Sequence, residues 1–221
     1  MAGEIQVNSV TALTESGSNI VLNNVDTATN RTNLGLGSIA TQAADSVSIS
    51  GGNITGGTIG SSVVFPADHI IKVESVIKTS VFTTTSTSFT DVTGLSVGIT
   101  PASTSNKILV MCSFFISSNS GSGYAQAKIV RNGSDVYVGD AAGSRRRGLL
   151  NAVGYNSDSN YVVPVSVQFL DSPASTSLQT YKVQCLQTAG NTTRIGAVGS
   201  DSDSTNSVRS ASSIVLLEIN G

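Results

Sequence analysis

Beyond residue 65 the apolar positions fall on alternate residues, the spacing of strands that lay one face on a core. The pattern predicts strands over 73–83, 89–92, 95–99, 107–116, 124–131, 134–138, 161–169, 180–186 and 213–219. In 107–116, Ile108, Val110, Cys112, Phe114 and Ile116 share one face, and Leu109, Met111 and Phe115 share the other. A strand apolar on both faces belongs at a sheet centre or on a surface between subunits. Asn132-Gly133 separates two of the strands, and both residue types tolerate the positive φ of a two-residue turn, so 124–138 is predicted as a hairpin. Pro164 lies within 161–169 and lacks a ladder donor, which places that strand at an edge or a bulge, or puts Pro164 among its first residues. A series of short strands in a span this long fits a two-sheet sandwich of jelly-roll type better than an immunoglobulin domain of about 100 residues. The loops 117–123, 139–148 and 199–207 are long for hairpin connections. On a rigid sandwich, such loops are where binding residues gather.

Ahead of residue 65 the pattern is different. Strand-like runs occupy 4–10 and 19–22, with a turn-rich stretch over 14–18. Asp26 as N-cap and Gly35 as C-terminal glycine bracket a predicted helix of two turns over 27–34, too short to be stable alone. Ile49, Ile54, Ile59 and Val64 then recur every five residues in a stretch otherwise made of Ser, Thr, Asn and Gly. A single copy of such a segment loses much backbone entropy on ordering and buries almost no apolar surface. Several copies wound about one axis would turn the four residues inward, so the spacing predicts a short interwound shaft or neck. Four rungs hold such copies together only weakly, which leaves most of the assembly energy to the sandwich. The organisation expected is an attachment segment over 1–25, a helix and glycine-rich shaft over 26–64, and a β-sandwich head over 65–221.

Composition narrows the function classes. Only 12% of the 221 residues are charged, and 39% are hydrophobic, most of them Val, Ile, Ala and Leu, a balance that argues against disorder and for strands joined by polar turns. A net charge of −2 provides no basic surface for nucleic acid. No run approaches the ~20 apolar residues of a membrane span, so no membrane insertion is expected. The start Met-Ala-Gly-Glu-Ile lacks the basic and apolar regions of a signal peptide, so synthesis and assembly in a cytoplasm are expected. Cys112 and Cys185 sit in apolar runs without metal-ligand spacing and read as two buried free thiols.

The run 26–42, with Asn33-Leu34-Gly35-Leu36-Gly37 followed by Ala40-Thr41-Gln42, closely resembles a recurrent element of tailed-bacteriophage fibre proteins. Ile49-Ser50-Gly51-Gly52-Asn53-Ile54-Thr55-Gly56-Gly57 resembles the Ile-Ser/Thr-Gly-Gly pieces of their shafts. The closing run 211–219 resembles, more loosely, the trimeric jelly-roll heads of such fibres, which are similar to tumour-necrosis-factor and C1q-type domains. This resemblance implies an all-β chain in a parallel homotrimer, located on the virion, with the N-terminal segment on a phage tail or neck protein and the head outward. The function it implies is adsorption through a host surface receptor, a glycan before a protein. A head-decoration, head-fibre or collar protein without receptor binding is the alternative, and a surface-polysaccharide depolymerase is a third reading.

Candidate chemistry is sparse. His69 is the sole histidine, no nucleophile elbow or metal-spaced His pair occurs, and no catalytic, cofactor or metal residues are assigned. Two carboxylates suffice for a glycosidase, which keeps the depolymerase in view. Arg145-Arg146-Arg147 is the one concentrated charge, suited either to a solvated loop or subunit contact or to phosphate and carboxylate groups of a surface polysaccharide. Tyr124 and Tyr155, with Tyr137 and Tyr161, border loops from which a ring face can stack on sugars. The receptor-binding candidates are therefore Arg145, Arg146, Arg147, Tyr124 and Tyr155. Asp201 and Asp203 offer oxygen ligands of the kind calcium takes, without the EF-hand glycine and glutamate, and read first as a mobile loop.

Overall fold

A computed structural model describes residues 4–7, 10–16, 19–22, 65–121, 123–152 and 160–221. The predicted helix over 27–34, the shaft residues Ile49, Ile54, Ile59 and Val64, and Tyr155 lie outside these residues. The chain divides into two units, Met1–Ser61 and Ser62–Gly221. In the first, β1 (Glu4–Val7), β2 (Val10–Ser16) and β3 (Asn19–Leu22) pair antiparallel in that order. The stretch read as a turn is therefore half strand, since Thr14, Glu15 and Ser16 close β2 against β3.

All other strands belong to the second unit, and the described residues contain no helix. They are β4 (Ile70–Lys78), β5 (Phe82–Thr84), β6 (Thr90–Ile99), β7 (Lys107–Ser118), β8 (Ala125–Arg131) and β9 (Ser134–Val136). Then follow β10 (Leu150–Ala152), β11 (Val163–Asp171), β12 (Gln179–Gln187), β13 (Thr193–Ile195) and β14 (Ser212–Ile219). Every pairing is antiparallel. One sheet runs β4-β14-β7-β13-β5 with β11 also on β7; the other runs β10-β8-β12-β6 with β9 also on β8. We call them the β7 sheet and the β12 sheet.

The two sheets pack face to face as a β-sandwich. Ile108, Val110, Phe114, Ile116, Ile195, Ile214 and Leu216 of the β7 sheet enclose one core with Leu95, Ile99, Ile129, Tyr181 and Val183 of the β12 sheet. Each such side chain fully withdrawn from water contributes about 1.5–3 kcal/mol. β7, apolar on both faces, sits at the centre of its sheet, between β11 and β14. β11 pairs only with β7, so Pro164 lies on an edge strand, opposite Phe115. Asn132 (φ 48) and Gly133 (φ 86) form the turn that pairs Arg131 with Ser134.

Three expectations change. The strand expected over 73–83 is two strands: β4 begins at Ile70 and pairs with β14, and β5 pairs with β13, because β7 is flanked on that side by two successive short partners rather than one long one. The segments 89–92 and 95–99 are one strand, β6, interrupted by a bulge. Three residues of β12, Lys182 to Gln184, stand against six of β6, Ser96 to Asp91, and Gly94 takes φ +82 inside that bulge. Finally β10 and β13 carry no periodic signal, since three residues are too few to show one.

Cys112 and Cys185 are buried and unpaired, and burial pushes both thiols from 9.0 up to about 12. The thiolate is the reactive form, so at pH 8 the folded protein should leave both thiols unlabelled by a disulfide reagent, and urea should expose two per chain. Fast labelling of either in the folded state would contradict their burial. Because the folded values are raised, unfolding releases protons above pH 9, and this contribution to stability is lost as the pH rises toward 12.

Candidate functional site

The outward faces of the two sheets have opposite chemistry. On the β7 sheet, cross-strand register aligns Val73, Leu217, Leu109 and Leu170 in one row running across four strands. The next row is Ser75, Val215, Met111 and Gln168, and the one beyond it Ile77, Ser213, Ser113 and Ser166. None of these residues is charged. Val73 is 57% exposed, Ile77 71% and Leu170 50%, and the central apolar residues are half-buried. Four strands about 4.8 Å apart and three rows of side chains cover on the order of 400 Å². Seven of these twelve residues are apolar and five are Ser or Gln, an extent within the usual range of the largest apolar patch on a folded chain, which is often functional.

On the β12 sheet the outward rows are Asn151, Gln126 and Leu186; Lys128, Gln184 and Asp91; and Val130, Lys182 and Ser96. The Lys182 ammonium donates to Asp91 at 2.8 Å and the Gln184 amide at 2.7 Å. The first of these bonds does most to hold the Asp91 carboxyl below its usual range. Lys128 pairs with Asp135 at 2.6 Å and stands 4.5 Å over the Phe89 ring. The Lys182–Asp91 pair is about half exposed, the ordinary condition of a solvated face, whereas the Lys128 side chain is only 15% exposed and Leu186 and Val130 are buried.

The arginine loop is an excursion from the edge of this β12 sheet. β9 pairs with β8 at Ile129 to Arg131 and β10 with β8 at Ala125 to Ala127, so the chain leaves one strand and returns to the same strand. Tyr137 begins the excursion at φ 51, and its ring stacks on Phe169 at 4.8 Å. A turn around Gly143 is closed by Arg145 N–H donating to Ala142 O at 3.2 Å. The return is fixed by Leu149 N–H on Ala127 O at 2.8 Å. Gly148 permits that approach, since a Cβ there would stand 2.9 Å from the Ala127 carbonyl oxygen. Arg147 Nε donates to Gly139 O at 2.6 Å across the loop.

Arg145, Arg146 and Arg147 are exposed, and among the described residues none has a carboxylate partner. Beneath them lie two adjoining hollows. One, of about 200 Å³, is lined by Phe89, Gln126, Arg146, Arg147, Gly148, Leu149, Leu150 and Asn151. The other, of about 500 Å³, adds Thr87, Ser88, Lys128, Asp135, Arg145 and Leu186. Tyr124 is 50% exposed at the start of β8 and lines neither hollow. The structure thus gathers the three arginines over Phe89 and Lys128, which the sequence did not single out, and leaves Tyr124 apart. Phe89 and Lys128 meet only through the pairing of β6, β12 and β8, which no local pattern encodes.

The remaining candidates have other employment. Both Asp201 carboxylate oxygens accept from Arg209, at 3.0 and 3.2 Å. The exposed His69 stacks on Phe65 with ring centres 5.9 Å apart. Among the described residues no group of three or more His, Cys, Asp or Glu side chains is placed to hold a metal ion, and no helix is long and apolar enough to cross a membrane. No family model matches the chain, and no curated protein matches it in sequence.

Proposed function

We propose that this chain is a tailed-phage virion protein, a parallel homotrimeric fibre whose jelly-roll-like head binds a host surface receptor during adsorption. The observation that carries this reading is the contrast between the two outer sheet faces. The β7 sheet turns three uncharged rows to solvent, seven of their twelve residues apolar and the rest Ser or Gln, and the β12 sheet carries paired charges and the arginine loop. Three copies that bury their β7 faces about a common axis leave three β12 faces pointing outward. The sequence adds the shaft-like run 49–64, which precedes β4 in the chain by a few residues. Residues 1–25 then form the attachment to the particle, and each head contributes a weak site that three copies and several fibres multiply.

Two measurements test the two halves of the reading. Light scattering on the purified chain should give three times 22.5 kDa; a monomer would refute the trimer. Purified protein should also bind host cells and block phage adsorption in competition. A trimer that does neither would refute receptor binding and leave the decoration or collar role.

A further inference from the structure

The cleft under the arginine loop has the makings of a site for one class of ligand. Arg145 and Arg146 present guanidinium forks above it without an acidic partner, and the single carboxylate within the loop 137–149 is Asp140. Lys128 lines it but is already neutralised by Asp135. The loop is held at both ends on β8 and braced across its middle by Arg147, so the forks are carried on a supported frame.

A second observation comes from the floor of the smaller hollow. Gln126 Nε2 donates to Asn151 Oδ1 at 2.5 Å, and both side chains line this hollow. Unpaired forks suit carboxylate or phosphate groups, which they bind bidentately. Amide groups a short way below suit hydroxyls. The larger hollow, at about 500 Å³, is within the range of about 300–1,000 Å³ typical of small-ligand sites.

We infer that this cleft binds a segment of an acidic polysaccharide, with Arg145 and Arg146 on its carboxylate or phosphate groups and the Gln126–Asn151 pair on its hydroxyls. The inference rests on the receptor-binding reading for its biological setting and specifies the chemistry of the receptor. It also predicts that binding weakens as salt rises, because the forks are exposed and screened.

The test uses the full-length protein on surfaces carrying polygalacturonate, polyglycerol phosphate or dextran, in 50 and 500 mM salt. These salt levels bracket Debye lengths of roughly 14 and 4 Å. Binding to one or both acidic polymers, absent on dextran and at least tenfold weaker at high salt, is the expected result; the polymer retained identifies carboxylate or phosphate as the ligand group. Arg145→Gln with Arg146→Gln should reduce it at least tenfold, and Arg145→Lys with Arg146→Lys should recover only part, since an ammonium keeps the charge and loses the fork. Gln126→Leu, which removes the amide at nearly constant volume, should weaken binding without changing its salt dependence. Equal binding to dextran, or a double glutamine variant that binds like the parent, would overturn the inference. Host-cell binding separates the two claims: if it persists in the double variant the cleft is wrong and the receptor reading stands. If the parent binds acidic polymer but no cells, the receptor reading is wrong and the cleft stands.

Discussion

In the homotrimer proposed above, Val73→Glu together with Ile77→Glu should leave a folded monomer of 22.5 kDa. At 57% and 71% exposed, both residues are open to water in the single chain, so the substitutions should leave its stability within about 0.5 kcal/mol. An assembly that closes over the β7 sheet changes that outcome. Each glutamate would be desolvated in that interface, the first beside Leu217, the cross-strand neighbour of Val73, and the second beside Ser213, that of Ile77. A buried carboxylate without a partner costs several kcal/mol, and the cost recurs in every copy. Light scattering would read the loss of mass, and an unchanged far-ultraviolet circular dichroism spectrum would show that the strands persist. Lys182→Ala, on the opposite face, should leave the mass unaltered. A trimer that survives the double glutamate substitution assembles through another surface, and the β7 sheet would then have no part in holding the chains together.

How much of this was visible in the residues depends on what each feature requires. β7 and β14 were legible because eight or more residues of alternating burial write their own period, Ile108 to Ile116 and Ile214 to Glu218 on the core side. The Asn132-Gly133 turn was legible because its chemistry is local. Pro164 named its own edge in the same way. By contrast, β13 is three residues long and exists because Ser117, Ser118 and Ile116 of β7 extend past the end of β14 and need partners. β10 likewise exists because Ala125 to Ala127 lie beyond β9.

The site divides along the same line. Three consecutive arginines are conspicuous in any sequence, but the cleft beneath them is made by Phe89, Lys128 and Gln126. Those residues are brought together by register across β6, β12 and β8, from positions that are unremarkable in isolation. The apolar outer face of the β7 sheet was half legible. Leu109, Met111 and Phe115 announced a second apolar face on one strand. Its continuation through Leu217 and Val73 on one side and Leu170 on the other follows only from the pairing of β7 with β14 and β11, and of β14 with β4.

Asp171→Ala should cost about 3 kcal/mol. Asp171 ends β11 in the β7 sheet, and its Oδ2 accepts from Arg131 Nη1 of β8 at 2.5 Å and from Tyr181 OH of β12 at 2.7 Å. The bonds therefore tie one sheet to the other at the edge of the sandwich. Arg131 and Asp171 side chains are 23% and 15% exposed, so the pair is largely but not wholly withdrawn from water. Removing one partner from a buried pair typically costs 3–5 kcal/mol, and the residual exposure places this case at the low end of about 3. For a domain of about 150 residues that is a fall in Tm of roughly 6–12 °C at fixed chain concentration. Tyr181→Phe removes one donor and leaves the ion pair, so it should cost only about 1 kcal/mol. Burial first, and then its bond to Asp171, raise the Tyr181 hydroxyl above its ordinary 10.0, so this contribution is intact below pH 10 and is lost as the pH rises further. Urea unfolding of Asp171→Ala, Tyr181→Phe and the double variant separates the terms. Asp171→Ala within 0.5 kcal/mol of the parent would show that the sheets are held by their apolar contacts alone, because each donor would then have found water as good an acceptor as the carboxylate.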